Sequence, residues 1–240
     1  STLLNGRGHT KTIVCPYHAW TYNLDGKLRG APAMMKNEAF CKDKLQLPSV
    51  RCEEWLGWIM VSLNPDAERP TQVLSDVESM IGDYQLENYT ETFFETHVWD
   101  TNWKMLTENF MEGYHLPVTH RATVGGHFPV EETQFSEKPA NPAFTYQLYT
   151  KKESAPVGNA HPDNKVLKGK QRRTSVLPTI FPSHMISLAP DHFWYLSLQP
   201  LGNDKVKIRY GAALAPEVLA ASEQPDTLIS NVIEFLDKVN

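Results

Sequence analysis

The sequence predicts an α+β protein in two parts. A small, partial all-β domain occupies residues 1–68, and an α+β domain with an antiparallel sheet and covering helices occupies residues 69–240. Three observations lead there. Asp25-Gly26 is a hairpin signal between two strand-like runs. From Lys205 to Tyr210, apolar Val206, Ile208 and Tyr210 alternate with Lys205, Lys207 and Arg209, the pattern of a sheet with one wet face. After Pro225-Asp226, a proline and an acid suited to a helix start, Leu228, Ile229, Val232, Leu236 and Val239 form a helical stripe.

The elements follow in order. Asn5-Gly6 and Arg7-Gly8 mark a turn, and Lys11 to Val14 enters a strand. The Asp25-Gly26 hairpin is expected as a type I′ turn, with Trp20, Tyr22 and Leu24 on one face. Residues 30–50 read as loop. Trp55 to Leu63 is an apolar run expected as a buried strand, with Cys52 beside it as buried filler. Asn64-Pro65-Asp66 and Arg69-Pro70 read as a linker, placing the boundary near residue 68. Val73 to Tyr84 is a short helix and Tyr89 to Trp99 a strand. Gly125-Gly126 loosens the backbone, and His127 is a glycine-flanked loop histidine. Residues 131–173 lack periodicity, with Pro129, Pro139, Pro142, Pro156 and Pro162 and a basic run of Lys165, Lys168, Lys170, Arg172 and Arg173. They read as a solvated loop or as a lid that attracts an anion. Ile180 to Leu188, interrupted by Pro182, is a strand, and Phe193 to Leu198 pairs with Lys205 to Tyr210 across the 200–204 turn.

Composition narrows the function. The chain has 240 residues, is 41% hydrophobic and 21% charged, and carries a net charge of −5, which gives no reason to expect nucleic acid or an anionic membrane. No apolar run approaches the ~20 residues of a membrane span. Three cysteines, Cys15, Cys41 and Cys52, make no disulfide framework and suit a reducing, cytoplasmic compartment.

Two stretches carry chemistry. In Trp103 to His120, at about 100° per residue, Trp103, Leu106, Phe110 and Tyr114 form an apolar stripe. Glu108, Glu112 and His115 share nearly the opposite face. Pro117 is expected to end or kink the helix near His115, letting His120 swing back toward it. Two imidazoles plus a carboxylate hold a non-haem ferrous ion with open positions. The second stretch is Cys15-Pro16-Tyr17-His18, a thiolate and an imidazole on a loop between strands. A Rieske [2Fe-2S] cluster takes two of each. Zinc bound by Cys15 and His18, with or without Cys41 and Cys52, is the structural alternative, and a Rieske-type electron carrier is a third reading.

Together, Cys15-Pro16-Tyr17-His18-Ala19-Trp20 with Asp25-Gly26, and Asn102-Trp103-Lys104, Glu108-Asn109 and Glu112-x-x-His115-x4-His120, resemble the α (terminal oxygenase) subunits of Rieske-type ring-hydroxylating oxygenases. The resemblance implies a Rieske cluster held partly by Cys15 and His18, and a mononuclear Fe(II) held by His115 and His120. It implies O₂ as co-substrate and NAD(P)H acting through a reductase, with or without a ferredoxin. Mono- or dioxygenation of a small molecule is the implied reaction, in a homotrimer or α3β3 assembly. Glu112 is implied to bridge His115 to a cluster histidine of a neighbouring subunit. Most members have aspartate there, and glutamate resembles the branch acting on carnitine and related betaines. An aromatic cage for a quaternary ammonium would draw on Phe110, Tyr114, Trp194 and Tyr195. An aromatic ring is the other implied substrate. The resemblance also implies a piece of a longer chain, with two cluster ligands before Ser1 and the third iron ligand beyond Asn240, Asp237 being the fallback.

Overall fold

The computed structural model describes residues 1–136, 142–155 and 157–239. Pro139, Pro156, Asn240 and the side chain of His127 lie outside them. The chain divides into two compact units, Ser1–Glu54 with Ile59–Ala67, and Trp55–Trp58 with Glu68–Asn240.

In the first unit, β1 (Ile13–Val14), β2 (Thr21–Tyr22) and β3 (Leu28–Gly30) form an antiparallel sheet. The β2–β3 turn is not the expected type I′. Gly26 (φ 85°) has positive φ but Asp25 does not, and the turn closes through Gly26 N–H to Asn23 O (3.0 Å) and Asn23 N–H to Lys27 O (2.9 Å). Only the glycine takes the left-handed region, where a side chain is disfavoured.

A second hairpin follows, β4 (Arg51–Trp55) and β5 (Trp58–Ser62). Here both turn residues, Leu56 (φ 48°) and Gly57 (φ 87°), are left-handed, as a type I′ turn requires. The expectation of one buried strand from Trp55 to Leu63 is corrected. Trp55 ends β4, and in β5 Ile59 and Val61 are exposed (62% and 65%). Cys52 is exposed as well, not buried filler, because strand alternation puts it on the face opposite fully buried Trp55. The hairpin tip belongs to the second unit. There Trp55 Nε1–H donates to Glu78 (2.8 Å) and Trp58 packs edge-on against His184.

The second unit opens with α1 (Pro70–Val73) and α2 (Ser75–Ile81), then β6 (Thr90–Trp99), α3 (Trp103–Met111) and α4 (Leu116–Thr119). Six strands follow: β7 (Gln134–Phe135), β8 (Phe144–Thr150), β9 (Thr174–Ile180), β10 (His184–Leu188), β11 (His192–Pro200) and β12 (Val206–Leu214). The chain closes with α5 (Pro216–Ala221) and α6 (Pro225–Val239). Strands β6 to β12 form one antiparallel sheet in the order β6-β12-β11-β10-β9-β8-β7. The expected β11–β12 hairpin is present, with Leu198 opposite Ile208 and Leu196 opposite Tyr210. Part of the expected loop at 131–173 is instead β8, and Pro182 sits in a cis peptide between β9 and β10. Within the basic run Lys165, Lys168 and Lys170 are exposed. Arg172 donates to the carbonyls of Asn164 (2.7 Å) and His161 (2.8 Å), tying the loop down.

Alternation divides the sheet's faces. On one face Met185, Leu196, Leu198, Val206, Ile208 and Tyr210 pack against Trp103, Leu106 and Phe110 of α3 and Val232, Phe235 and Leu236 of α6. Each such side chain that is fully buried contributes about 2 kcal/mol. On the other face His184 is buried between Trp58 and Tyr195, its Nε2 without a hydrogen-bond partner among the described residues, and burial pulls its pKa down to about 4.

Candidate metal centre and its cavity

Asn102 starts α3 as an N-cap, its side-chain oxygen accepting from Lys104 N–H (2.9 Å) while its amide donates to Asn203 O (2.7 Å). The apolar stripe works as expected through Trp103, Leu106 and Phe110, and then the helix stops a turn early. Gln147 of β8 donates to Phe110 O (2.9 Å), and Glu112 is already extended (φ −119°, ψ 129°). Two expectations fail for that reason. Tyr114 is 81% exposed rather than on the stripe, and Pro117, instead of ending a helix, lies in the first turn of α4, where its missing donor costs nothing. Glu108 is exposed on α3 and outside the cavity, so it does not join Glu112 and His115.

The break brings Glu112 and His115 together across non-helical backbone. One Glu112 oxygen accepts from His115 N–H (3.1 Å), and the other pairs with His115 Nδ1. With Nδ1 engaged, Nε2 is the nitrogen left for a metal, the arrangement in which a carboxylate orients a ligating histidine. His120 follows α4 and stands with its ring 5.4 Å from that of His115, tilted by 68°. That separation suits one ion bonded to both imidazoles at about 2 Å per bond. Burial, then the neighbouring His115, hold His120 below its ordinary pKa, keeping its lone pair free at neutral pH. Among the described residues no group of three or more His, Cys, Asp or Glu is placed to hold a metal. Asp237 does not complete the set, because it is exposed on α6 while Phe235, Leu236 and Val239 face the cavity.

Glu112, His115 and His120 open onto a cavity of about 440 Å³ between the helices and the sheet. Its floor is paved by every second residue of the strands, including Gln147, Tyr149 and Lys151 from β8 and its end, and His192, Trp194 and Leu196 from β11. Of the four aromatic candidates, Phe110 and Trp194 line it, edge-to-face at 5.6 Å. Tyr195 alternates to the opposite face against Trp58. Gly125 was expected to loosen the backbone. It is buried, and a Cβ there would lie 1.9 Å from Leu116 O and 2.9 Å from the His120 carbonyl carbon. Its role is close approach of two backbones beside the histidine pair.

The Cys15–His18 loop is described in its own unit. Cys15 N–H donates to Trp20 O (2.8 Å) and Ala19 N–H to Cys15 O (2.9 Å), with Ala19 left-handed (φ 58°). This tight loop holds a free, half-buried thiol and an exposed imidazole on one turn, a donor set of the Rieske type. Cys41 and Cys52 are both exposed and join no metal cluster among the described residues.

Residues 86–240 match the family described as "Ring hydroxylating alpha subunit (catalytic domain)". The chain belongs to that family. Residues 1–51 match the "Rieske [2Fe-2S] domain", so the β-sheet unit and the sheet-and-helix unit occur in the order the resemblance implied. The two matches imply a Rieske cluster and a mononuclear iron, and the thiol and imidazole of Cys15 and His18 and the paired imidazoles of His115 and His120 are of the donor types such groups take.

The carnitine monooxygenase oxygenase subunit of Escherichia coli (strain K12) is 34% identical over 126 residues, 49% of this chain and 32% of its own. The chloroplastic choline monooxygenase of Atriplex hortensis is 28% identical over 130 residues, 50% of this chain and 29% of its own. Among solved structures, the quaternary ammonium Rieske monooxygenase CntA with L-carnitine superposes with a TM-score of 0.75 at 19% identity, covering 98% of this chain and 61% of that one. Naphthalene 1,2-dioxygenase from Rhodococcus sp. bound to indole gives 0.74 at 23% identity, covering 94% and 60%. At these identities the structural likeness speaks to the fold. The chain spans about a third of the curated relatives' length and about three fifths of the solved chains.

Proposed function

We propose that this chain is the α subunit of a Rieske non-haem iron oxygenase that hydroxylates a small organic substrate with O₂. The observation that carries the reading is the Glu112–His115–His120 set opening onto an aromatic-lined cavity large enough for a small molecule. Residues 1–68 are the cluster domain and 69–240 the catalytic domain. Cys15 and His18 hold cluster iron, and His115 and His120 hold the mononuclear iron. When bound, these groups supply one-electron transfer and O₂ activation.

The chain's own contribution is placement. Glu112 fixes the His115 ring through Nδ1 and tethers its backbone, which sets the direction of Nε2. Its side chain is 45% exposed, and each oxygen keeps a further lone pair, so a donor from a second subunit can reach it. That supports the bridging role and a trimer in which each catalytic domain receives electrons from its neighbour. A reductase, with or without a ferredoxin, draws those electrons from NAD(P)H. Phe110 and Trp194 present faces suited either to an aromatic ring or to an N-methylated cation. Relatives named for carnitine and choline, and the glutamate at 112, favour the cation. No helix among the described residues is long and apolar enough to cross a membrane, and a cytoplasmic site accords with free Cys15, Cys41 and Cys52.

The test is turnover under isotopically labelled O₂ with a reductase supplied, using carnitine, glycine betaine, choline and naphthalene. Label in a hydroxylated product of at least one is expected. Electron consumption with no labelled product from any of them would contradict the reading.

A further inference from the structure

The cavity contains a built polar cluster that the metal centre does not use. Lys151, at the end of β8, is 8% exposed and is the only lysine or arginine among the described residues lining the cavity. Its Nζ donates to Ser175 Oγ (2.9 Å) and Gly158 O (3.0 Å), both neutral, and lies 5.8 Å from the Tyr149 ring. Two of the ammonium's three hydrogens are thereby used among the described residues. The Gly158 peptide also faces the other way, its N–H donating to Asp191 Oδ2 (2.8 Å) while Asp191 Oδ1 pairs with His192 Nδ1 (2.7 Å). Lys151 and Asp191 are thus linked through the two backbone groups of one residue, with no ion pair between them among the described residues.

Gly158 has φ +77°, and a Cβ there would fall 1.7 Å from Lys151 Nζ. The backbone is shaped around the ammonium. Burial lowers the Lys151 pKa to about 8 against the opposing pull of Asp191, so it is mostly charged at neutral pH. Burial pushes the Asp191 carboxyl up, but His192, Lys151 and the Gly158 N–H together hold it below its ordinary range. His192 lines the same wall, and with Nδ1–H donated to Asp191 its neutral ring turns an accepting Nε2 to other partners, which leaves Lys151 as the donor for an anion. Among the described residues the ammonium's hydrogen-bond acceptors are neutral and Asp191 acts on it only at a distance, so a carboxylate taking its third hydrogen would offset the cost of burying the charge.

We propose that Lys151 anchors a carboxylate subsite, so that the substrate is a small acid whose anionic end docks on the sheet floor while its remainder faces Phe110 and Trp194. The subsite belongs to the oxygenase proposed above and rests on that reading. It selects against substrates that are purely cationic, because the ammonium repels them where a carboxylate would be drawn in.

The test is equilibrium binding to the holoenzyme, followed by calorimetry, of pairs that differ at the carboxylate: glycine betaine against choline, and benzoate against benzyl alcohol. In at least one pair the acid should bind tenfold or more tightly, about what one charge-assisted hydrogen bond in a buried site supplies. Lys151→Met should abolish that preference by weakening the acid, while choline, relieved of the ammonium's repulsion, binds no less tightly than to the wild-type. Equal binding of acid and alcohol in both pairs, no binding of either acid, or an undiminished preference in Lys151→Met would overturn the subsite. The wild-type comparison stands even if the variant fails to fold. Binding needs no turnover, so a preference for acids without labelled product would retire the oxygenase reading alone. Labelled product from choline with no preference for acids would retire the subsite alone.

Discussion

Glu112→Ala is expected to keep both iron cofactors and lose turnover by at least about 100-fold, the upper end of what loss of a partner to a ligating histidine costs. The side chain makes two contacts with one residue, holding the His115 ring at Nδ1 and accepting from His115 N–H. Loss of the hydrogen bond to His115 N–H alone costs about 1 kcal/mol, too little to unfold the domain. The catalytic loss should therefore appear without a collapse in thermal stability. If Glu112 also carries electrons between subunits, single-turnover oxidation of the pre-reduced protein will slow by a similar factor. Glu112→Gln, which keeps an acceptor for His115 N–H but not the charge, should melt like wild-type and turn over poorly. Product formation near wild-type in Glu112→Ala would remove Glu112 from the mechanism.

Gly125→Ala is the second large effect, and it is structural in origin. The added methyl would sit 1.9 Å from Leu116 O and 2.6 Å from Leu116 C, and neither backbone atom can rotate aside. Gly125 N–H also donates to His120 O (2.9 Å), so the turn that must open is the one that positions His120. Overpacking of this kind costs about 1–3 kcal/mol, and here the strain is released into the histidine pair. A lower melting temperature together with loss of mononuclear iron is expected. Gly126→Ala is the control, because its nearest contact is Arg121 O at 3.2 Å and the residue is exposed. Equal stability and equal iron in the two variants would show that the close approach does not matter.

The two motifs were legible because their information is local. Cys15 with His18, and Glu112 with His115 and His120, lie within a few residues of one another, and the β11–β12 hairpin and α6 announce themselves by period. What was hidden comes from distant partners. The end of α3 depends on Gln147 reaching Phe110 O from a strand 37 residues away. Tyr114 left the stripe for that reason, and Pro117 began a helix rather than ending one. The alternation Gln147, Tyr149, Lys151 was present in the sequence, but the prolines around it disguised β8 as loop. Cys52 and Val61 were assigned by hydrophobicity alone, which does not say which face of a strand is covered. Asp25-Gly26 was assigned its turn type by composition, while the left-handed pair formed at Leu56-Gly57. Lys151, His192 and Asp191 gave no sequence signal as a group, since the fold alone assembles them.

The central claim is that His115 and His120 hold a mononuclear iron separate from the cluster. The direct measurement is total iron and acid-labile sulfide in the wild-type holoprotein and in the His115→Ala/His120→Ala double variant. The expected result is about three iron and two sulfide per chain in the wild-type and about two and two in the variant, one iron leaving while the two-iron cluster stays. Two iron and two sulfide in both proteins would reduce the pair to packing residues and leave an electron carrier. Zinc without sulfide would contradict the account from Cys15 onward.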